Sequence, residues 1–224
     1  MISLAEHLAQ GMEVRTEVRL EVVKQAPDGW QVRAVGGQQY HSRALLLTAP
    51  VPESLGLLAA GQTHLTSHDQ AWLQQISYEP SLVALFRLEG GTKLPGLGAL
   101  HLPDAPIRFL IDNQRKGISP QATIITAQAN AEYSRRLWDW PDLDVLEDIR
   151  LQIQTYLQPD SAILEEHLHR WRYALPASLH PEPYLIAAEL PPLLFAGDAF
   201  GSLRGIEGAA LSGLAAGEAL VQLL

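Results

Sequence analysis

Pro192-Leu193-Leu194-Phe195-Ala196-Gly197-Asp198 opens the stretch of sequence that decides the fold. It continues through Ala199-Phe200-Gly201-Ser202-Leu203-Arg204 into Gly205-Ile206-Glu207-Gly208 and a run of small residues ending at Leu224. Leu193–Ala196 is a short apolar run with the character of a buried strand. Gly197-Asp198 stops it, and a helix is predicted from about Gly205 to the last residue. Gly197 lets backbone approach a ligand closely, and Asp198 can accept hydrogen bonds from sugar or polyol hydroxyls. The same two residues are ordinary turn formers, so a turn-capping role for Asp198 stands beside the ligand role.

The first N–H groups of the final helix, at Ile206 and Glu207, carry positive partial charge and suit an electron-rich acceptor. Glu207 also complements the helix dipole by itself. Gly208, Ser212, Ala215, Ala216 and Ala219 recur at three-to-four spacing, a narrow strip that permits close approach to a sheet or a ligand.

Working back from this stretch, proline-rich residues 176–192 connect it to Ile163–Trp171, a strand candidate. Trp171, Arg172 and Tyr173 follow. Aromatics beside a cation can border a planar ligand or plug a core at a domain boundary. Leu143–Leu157 has the apolar spacing of an amphipathic helix, through Leu146, Ile149, Ile153 and Leu157. Ala131–Trp138 reads as a helix; Leu82–Leu88, Ile107–Asp112 and Ala122–Ala129 read as strands. Residues 91–106, with Pro95, Pro103 and Pro106, read as an irregular connection.

At the front, Ile2–Gln10 is a helix stopped by Gly11. Glu13–Lys24 and Trp30–Val35 alternate around the turn Ala26-Pro27-Asp28-Gly29. Gly36-Gly37 turn the chain into Gln38–Tyr40. Ala44–Thr48 is a continuous apolar run, expected to be covered on both faces in a parallel sheet. Pro50 and Pro52 end it. Helical stretches follow at Pro50–Leu58 and His68–Ile76. Such an order predicts a mixed α/β chain in which residues 1–60 and 176–224 form one domain and residues 61–175 a second.

The 224 residues carry a formal net charge of −9 and no Lys/Arg run, which argues against a nucleic-acid surface. Absence of cysteine removes disulfides, thiolate metal sites and a Cys nucleophile. No signal peptide or membrane-spanning run is visible, so the expectation is a cytoplasmic protein with no membrane partner. His167-x-His169 share one face of a strand, but Glu165 and Asp160 are poor companions, and no metal site is expected. No nucleophile elbow or phosphate-binding Gly-Lys loop occurs.

Leu194–Asp198 followed by Gly205–Gly213 resembles the C-terminal flavin-binding motif of flavin-containing amine oxidases. With His169-Arg170-Trp171-Arg172-Tyr173-Ala174-Leu175-Pro176, the chain most resembles the renalase-like branch of that superfamily. Val18-x-Leu20, Asp28-Gly29-Trp30, Ala44–Pro52 and Tyr78-Glu79-Pro80 are similar to the family's other landmarks. The resemblance implies a remnant of a Rossmann-type FAD-binding domain with an inserted antiparallel-sheet substrate domain. It implies that Asp198, after Gly197, binds the ribityl–pyrophosphate part of FAD. The start of the last helix, Gly205-Ile206-Glu207-Gly208, would face the flavin ring. Val18 would contact adenine, Thr48 and Pro50 would lie along the dinucleotide, and Trp171 and Tyr173 would border the substrate. No catalytic acid or base is assigned.

The implied reaction is hydride transfer from an amine or a dihydronicotinamide-type substrate to flavin, with reoxidation by oxygen or another acceptor.

The family's Gly-x-Gly-x-x-Gly does not occur in the sequence: Gly96-x-Gly98 meets His101 at the third position. The chain is therefore expected to begin past the dinucleotide fingerprint, leaving Leu193–Ala196 with an open strand edge. A separate N-terminal half, or another copy of the chain, could fill that edge, or nothing does in a truncated product. The alternative is a non-catalytic derivative of the fold that acts as a binding or interaction module without FAD.

Overall fold

The computed structural model describes residues 2–224 and, from residue 4 onward, their side chains. Two compact units divide the chain: Met1–Ser77 with Ser178–Leu224, and Tyr78–Ala177. The break expected after residue 60 thus falls at Ser77, and residues 61–77 belong with the chain ends. Long-range hydrogen bonds hold them there. Thr63 Oγ1 donates to the Val23 carbonyl at 3.1 Å, and Ala188 N–H donates to Asp69 Oδ2 at 2.9 Å.

The first unit begins with α1 (Ile2–Leu8) and the strands β1 (Leu20–Ala26), β2 (Gly29–Ala34) and β3 (Gln39–Ser42), a three-stranded antiparallel meander. Ala26 pairs with Gly29, so Pro27-Asp28 make the predicted tight turn, and Gly29 takes φ 135°. The strand expected from Glu13 starts only at Leu20: residues 13–19 are irregular, and Glu17 sits at φ 60°. β4 (Leu45–Leu47), α2 (Val51–Ala60) and α3 (Ser67–Gln74) complete the front segment. Thr66 caps α3, its side chain accepting Asp69 N–H at 3.2 Å.

The second unit contains β5 (Tyr78–Glu89), β6 (Ala99–His101), β7 (Ile107–Asp112), β8 (Thr123–Ala129), α4 (Ala131–Leu137), α5 (Asp142–Ile153) with a 3-10 turn after it, and β9 (Ala162–Pro176). Its antiparallel sheet has the order β6-β7-β8-β5-β9. β6 lies within residues 91–106, which the prolines made look wholly irregular. It is three residues long, too short for a period to show, and is held by hairpin pairing to β7. Leu82, Phe86, Leu110, Ile125, Leu137, Ile149 and Ile153 fill a core between one sheet face and the two helices. Asn130 caps α4 by accepting Tyr133 N–H at 2.8 Å.

β9 runs on past Trp171 to Pro176, so the Trp171-Arg172-Tyr173 cluster is strand, not connection. Ser81 pairs with Trp171 and Glu79 with Leu175, so three β9 residues face Pro80 alone. Proline has no N–H to offer the ladder, and the partner strand bulges at that point.

The chain then returns to the first unit through β10 (Leu185–Ile186), β11 (Leu193–Phe195) and α6 (Gly205–Leu223). β10, β11 and β4 form a second three-stranded sheet, with β11 central. β11 pairs parallel with β4 and antiparallel with β10. The open edge expected on Leu193–Ala196 is therefore covered, because the proline-rich segment folds back and supplies β10. Parallel pairing of the Ala44–Thr48 run is as expected, but its burial is not. Only Leu47 is buried, because β4 is the edge strand of its sheet. Leu193, Leu194 and Phe195 are fully buried.

Candidate flavin-loop site

Parallel pairing of β4 with β11 makes both strands leave their sheet at the same end, Leu47 opposite Phe195. The carboxyl ends of parallel strands are where open α/β sheets hold ligands. Thr48, Ala49 and Pro50 thus emerge beside Gly197 and Asp198. A β-carbon on Gly197 would lie 3.5 Å from the Thr48 carbonyl oxygen. Pro50 sets the start of α2, and its carbonyl accepts Glu53 N–H and Ser54 N–H.

Gly197 has φ 137°, a backbone conformation that side chains resist. Its N–H donates to Ser212 Oγ at 2.9 Å, and its carbonyl accepts Phe200 N–H at 3.2 Å. Both backbone groups are consumed inside the protein. Asp198 is different. Its half-buried carboxyl is held above the usual range by burial, partly offset by a hydrogen bond from its own amide. Its own amide takes one acceptor site, and the remaining lone pairs of the carboxyl can accept from a ligand.

α6 starts at Gly205, φ 78°, with no side-chain cap from Arg204. Ile206 and Glu207 are exposed, so the first-turn N–H groups stand at an accessible helix end. Gly208 has a different reason to be small. A β-carbon there would meet the Leu203 carbonyl at 2.1 Å, so the approach it permits is by the protein's own loop. Ser212 and Ala216, below it on the same face, are also buried.

Val18 is not brought to this end. It lines a groove of about 640 Å³ with Leu20, Val32, Tyr40 and Leu45, at the opposite end of β4. Trp171 and Tyr173 belong to the second unit. Trp171 is 53% exposed, and its ring lies 4.4 Å from that of His169. Tyr173 meets Tyr78 edge-on at 5.5 Å.

Two contributors were invisible as such in the sequence. Ser212 was legible only as a small residue, although it is the one hydroxyl in a strip of Gly and Ala. His180 is buried between Trp72 and Phe200. Its backbone N–H donates to the Ala199 carbonyl at 2.8 Å, and its carbonyl accepts Gly201 N–H at 2.9 Å, bracing the loop after Asp198. Among the described residues no group of three or more His, Cys, Asp or Glu could hold a metal ion. None of the described helices is long and apolar enough to cross a membrane.

Tested against FAD, these residues fit one side of the cofactor. A half-buried carboxylate, an uncapped helix start and a glycine close to the neighbouring strand end suit its ribityl and ring portions. A Gly-rich pyrophosphate loop is not among the 224 residues.

Solved structures share this fold. A protein described as a protoporphyrinogen oxidase from Exiguobacterium sp. 255-15 superposes with a TM-score of 0.63 at 18% identity, over 99% of this chain and 51% of its own. A Pyrococcus furiosus protein gives 0.60 at 15% identity, over 98% and 51%. A reduced UDP-galactopyranose mutase gives 0.55 at 14% identity, over 75% and 36%. The chain thus has the fold of about half of a protoporphyrinogen oxidase-like flavoprotein. The flavin containing amine oxidoreductase profile matches residues 1–221, and the chain belongs to that family. Comparison with curated proteins gives no match.

Proposed function

We propose that this chain is the C-terminal portion of a renalase-like FAD-dependent oxidoreductase of the cytoplasm. The observation that carries the proposal is the half-buried Asp198 carboxyl beside Thr48, at the shared carboxyl end of β4 and β11. Asp198 would hold the ribityl–pyrophosphate part of FAD, and the N–H groups of Ile206 and Glu207 would face the ring edge where negative charge gathers. Bound FAD would supply the acceptor for a hydride leaving an amine or a dihydronicotinamide-type substrate. Trp171 and Tyr173 would border that substrate.

The pyrophosphate-binding half would come from outside these residues, from a separate N-terminal half, with a second copy of the chain as the other candidate partner. The exposed apolar side chains Ile206, Leu211, Leu214 and Val221 on α6 support a partner at this end. The chain is purified alone and after co-expression with a Gly-x-Gly-x-x-Gly βαβ segment, each with added FAD, and its absorbance is read from the near-UV to the blue. Stoichiometric flavin bands on co-expression, abolished by Asp198→Ala, are expected.

A second reading is a non-catalytic module without FAD. It is favoured by β11 having both of its neighbours within this chain. No flavin under either condition would select it and overturn the first.

A further inference from the structure

Ser212 lies on α6 two turns below its start and is 1% exposed. Its hydroxyl accepts Gly197 N–H at 2.9 Å and donates to the Pro183 carbonyl at 2.6 Å. One oxygen therefore joins three separate pieces of chain: the turn after β11, the last helix, and the proline-rich segment before β10. Its single donor and the acceptor it uses are both well made.

We propose that Ser212 is the positioning residue of the flavin loop: its hydroxyl fixes the Ala196–Gly197 peptide, from which the loop bearing Asp198 departs. The proposal deepens the flavin reading and rests on it for its ligand. Its structural half stands without one.

Three observations support it. Gly197 sits at φ 137°, where the backbone has many alternatives, so a hydrogen bond is needed to choose among them. The Gly197 N–H belongs to the Ala196–Gly197 peptide and the Gly197 carbonyl, which accepts Phe200 N–H at 3.2 Å, to the Gly197–Asp198 peptide, so the Ser212 bond holds the near side of the glycine whose far side carries Asp198. The same segment that Ser212 grips at Pro183 also braces the far side of the loop. There His180 N–H reaches the Ala199 carbonyl, and Gly201 N–H reaches the carbonyls of His180 and Glu182, each at 2.9 Å. Size alone would have been met by alanine, as at Ala216 on the same buried face.

The test uses the full chain and compares Ser212→Ala with Ser212→Thr, which keeps a hydroxyl, and with Ala216→Gly, which disturbs the same face without touching the loop. Hydrogen exchange of the Gly197 amide is followed by NMR in the flavin-free protein. Affinity for FAD is followed by quenching of flavin fluorescence, with the Gly-x-Gly-x-x-Gly segment present. Ser212→Ala is expected to speed Gly197 exchange by about tenfold or more relative to core amides of β11, and to weaken FAD by about tenfold. Ser212→Thr should recover most of both effects, and Ala216→Gly should show neither. Equal exchange rates in Ser212→Ala and Ala216→Gly would overturn the proposal, as would failure of Ser212→Thr to differ from Ser212→Ala. Wild-type protein that binds no FAD, while Ser212→Ala still frees the Gly197 amide, would overturn the flavin reading and leave Ser212 as the residue that fixes the loop.

Discussion

Trp30 Nε1 donates to the carbonyl of Pro192 at 3.0 Å, joining the β2 strand to the entrance of β11 across 162 residues of sequence. The indole is 1% exposed, so the front meander and the terminal strand share one buried anchor. Trp30→Phe keeps most of the ring but removes one of the two hydrogen bonds to that carbonyl, which still accepts Leu45 N–H at 2.9 Å, so it should cost about 1 kcal/mol. Trp30→Ala adds a cavity and should cost about 3–5 kcal/mol. Urea unfolding of both variants, followed by far-UV circular dichroism, checks the order and the gap.

Glycines on α6 divide by what surrounds them. Gly208→Ala places a methyl 2.1 Å from the Leu203 carbonyl and should destabilise by about 1–3 kcal/mol despite alanine's better helix propensity. Gly213 and Gly217 have open space at the same position. Alanine there should stabilise by about 0.5–1 kcal/mol. Thermal melts of the three variants separate a packing glycine from two incidental ones.

Asp69 is buried at 6% exposure and receives Ala188 N–H, tying α3 to the segment just before β11. Asp69→Ala should cost about 1–3 kcal/mol, since it strands a backbone donor. Asp69→Asn retains an acceptor and should cost less. Limited proteolysis at residues 187–191 gives a local readout, with faster cutting expected in the alanine variant.

Asp198 sets a pH dependence whose sign is fixed by its raised pKa. The folded chain holds this proton more firmly than the unfolded chain does. Its contribution to stability is present at low pH and is lost as pH climbs from the ordinary carboxylate range through the raised value. Asp198→Asn carries no such charge. That variant should flatten this part of the stability curve and be at least as stable as the wild type at neutral pH. Unfolding midpoints at a series of pH values test it, and a wild-type carboxyl that loses no stability on ionising would contradict the sign.

Much of the candidate site was legible because its signals are local. Gly197-Asp198 after an apolar run, Gly205 before a small-residue helix and Pro50 after Ala44–Thr48 each announce a strand end or a helix start through their own backbone preferences. The rest depends on partners far along the chain. The neighbour that β10 gives β11 rests on two residues, too few for a periodic pattern. That β9 continues past Trp171 to Pro176 follows from pairing with β5 at Leu175 and Pro176, which composition does not mark.

By itself, then, the sequence determined the turns, the main helices, the parallel pairing character of the Ala44–Thr48 run and the family. These follow from period, turn chemistry and motif, which act within a few residues. Only the tertiary structure decided that Gly208 serves Leu203, that Val18 lies away from Asp198, and that the Ser212 hydroxyl holds the Gly197 amide. Each of these is a contact whose partner is set by strand register and chain return. A hydrogen bond needs its atoms within a few tenths of an ångström, and that placement is fixed only once the whole unit has packed.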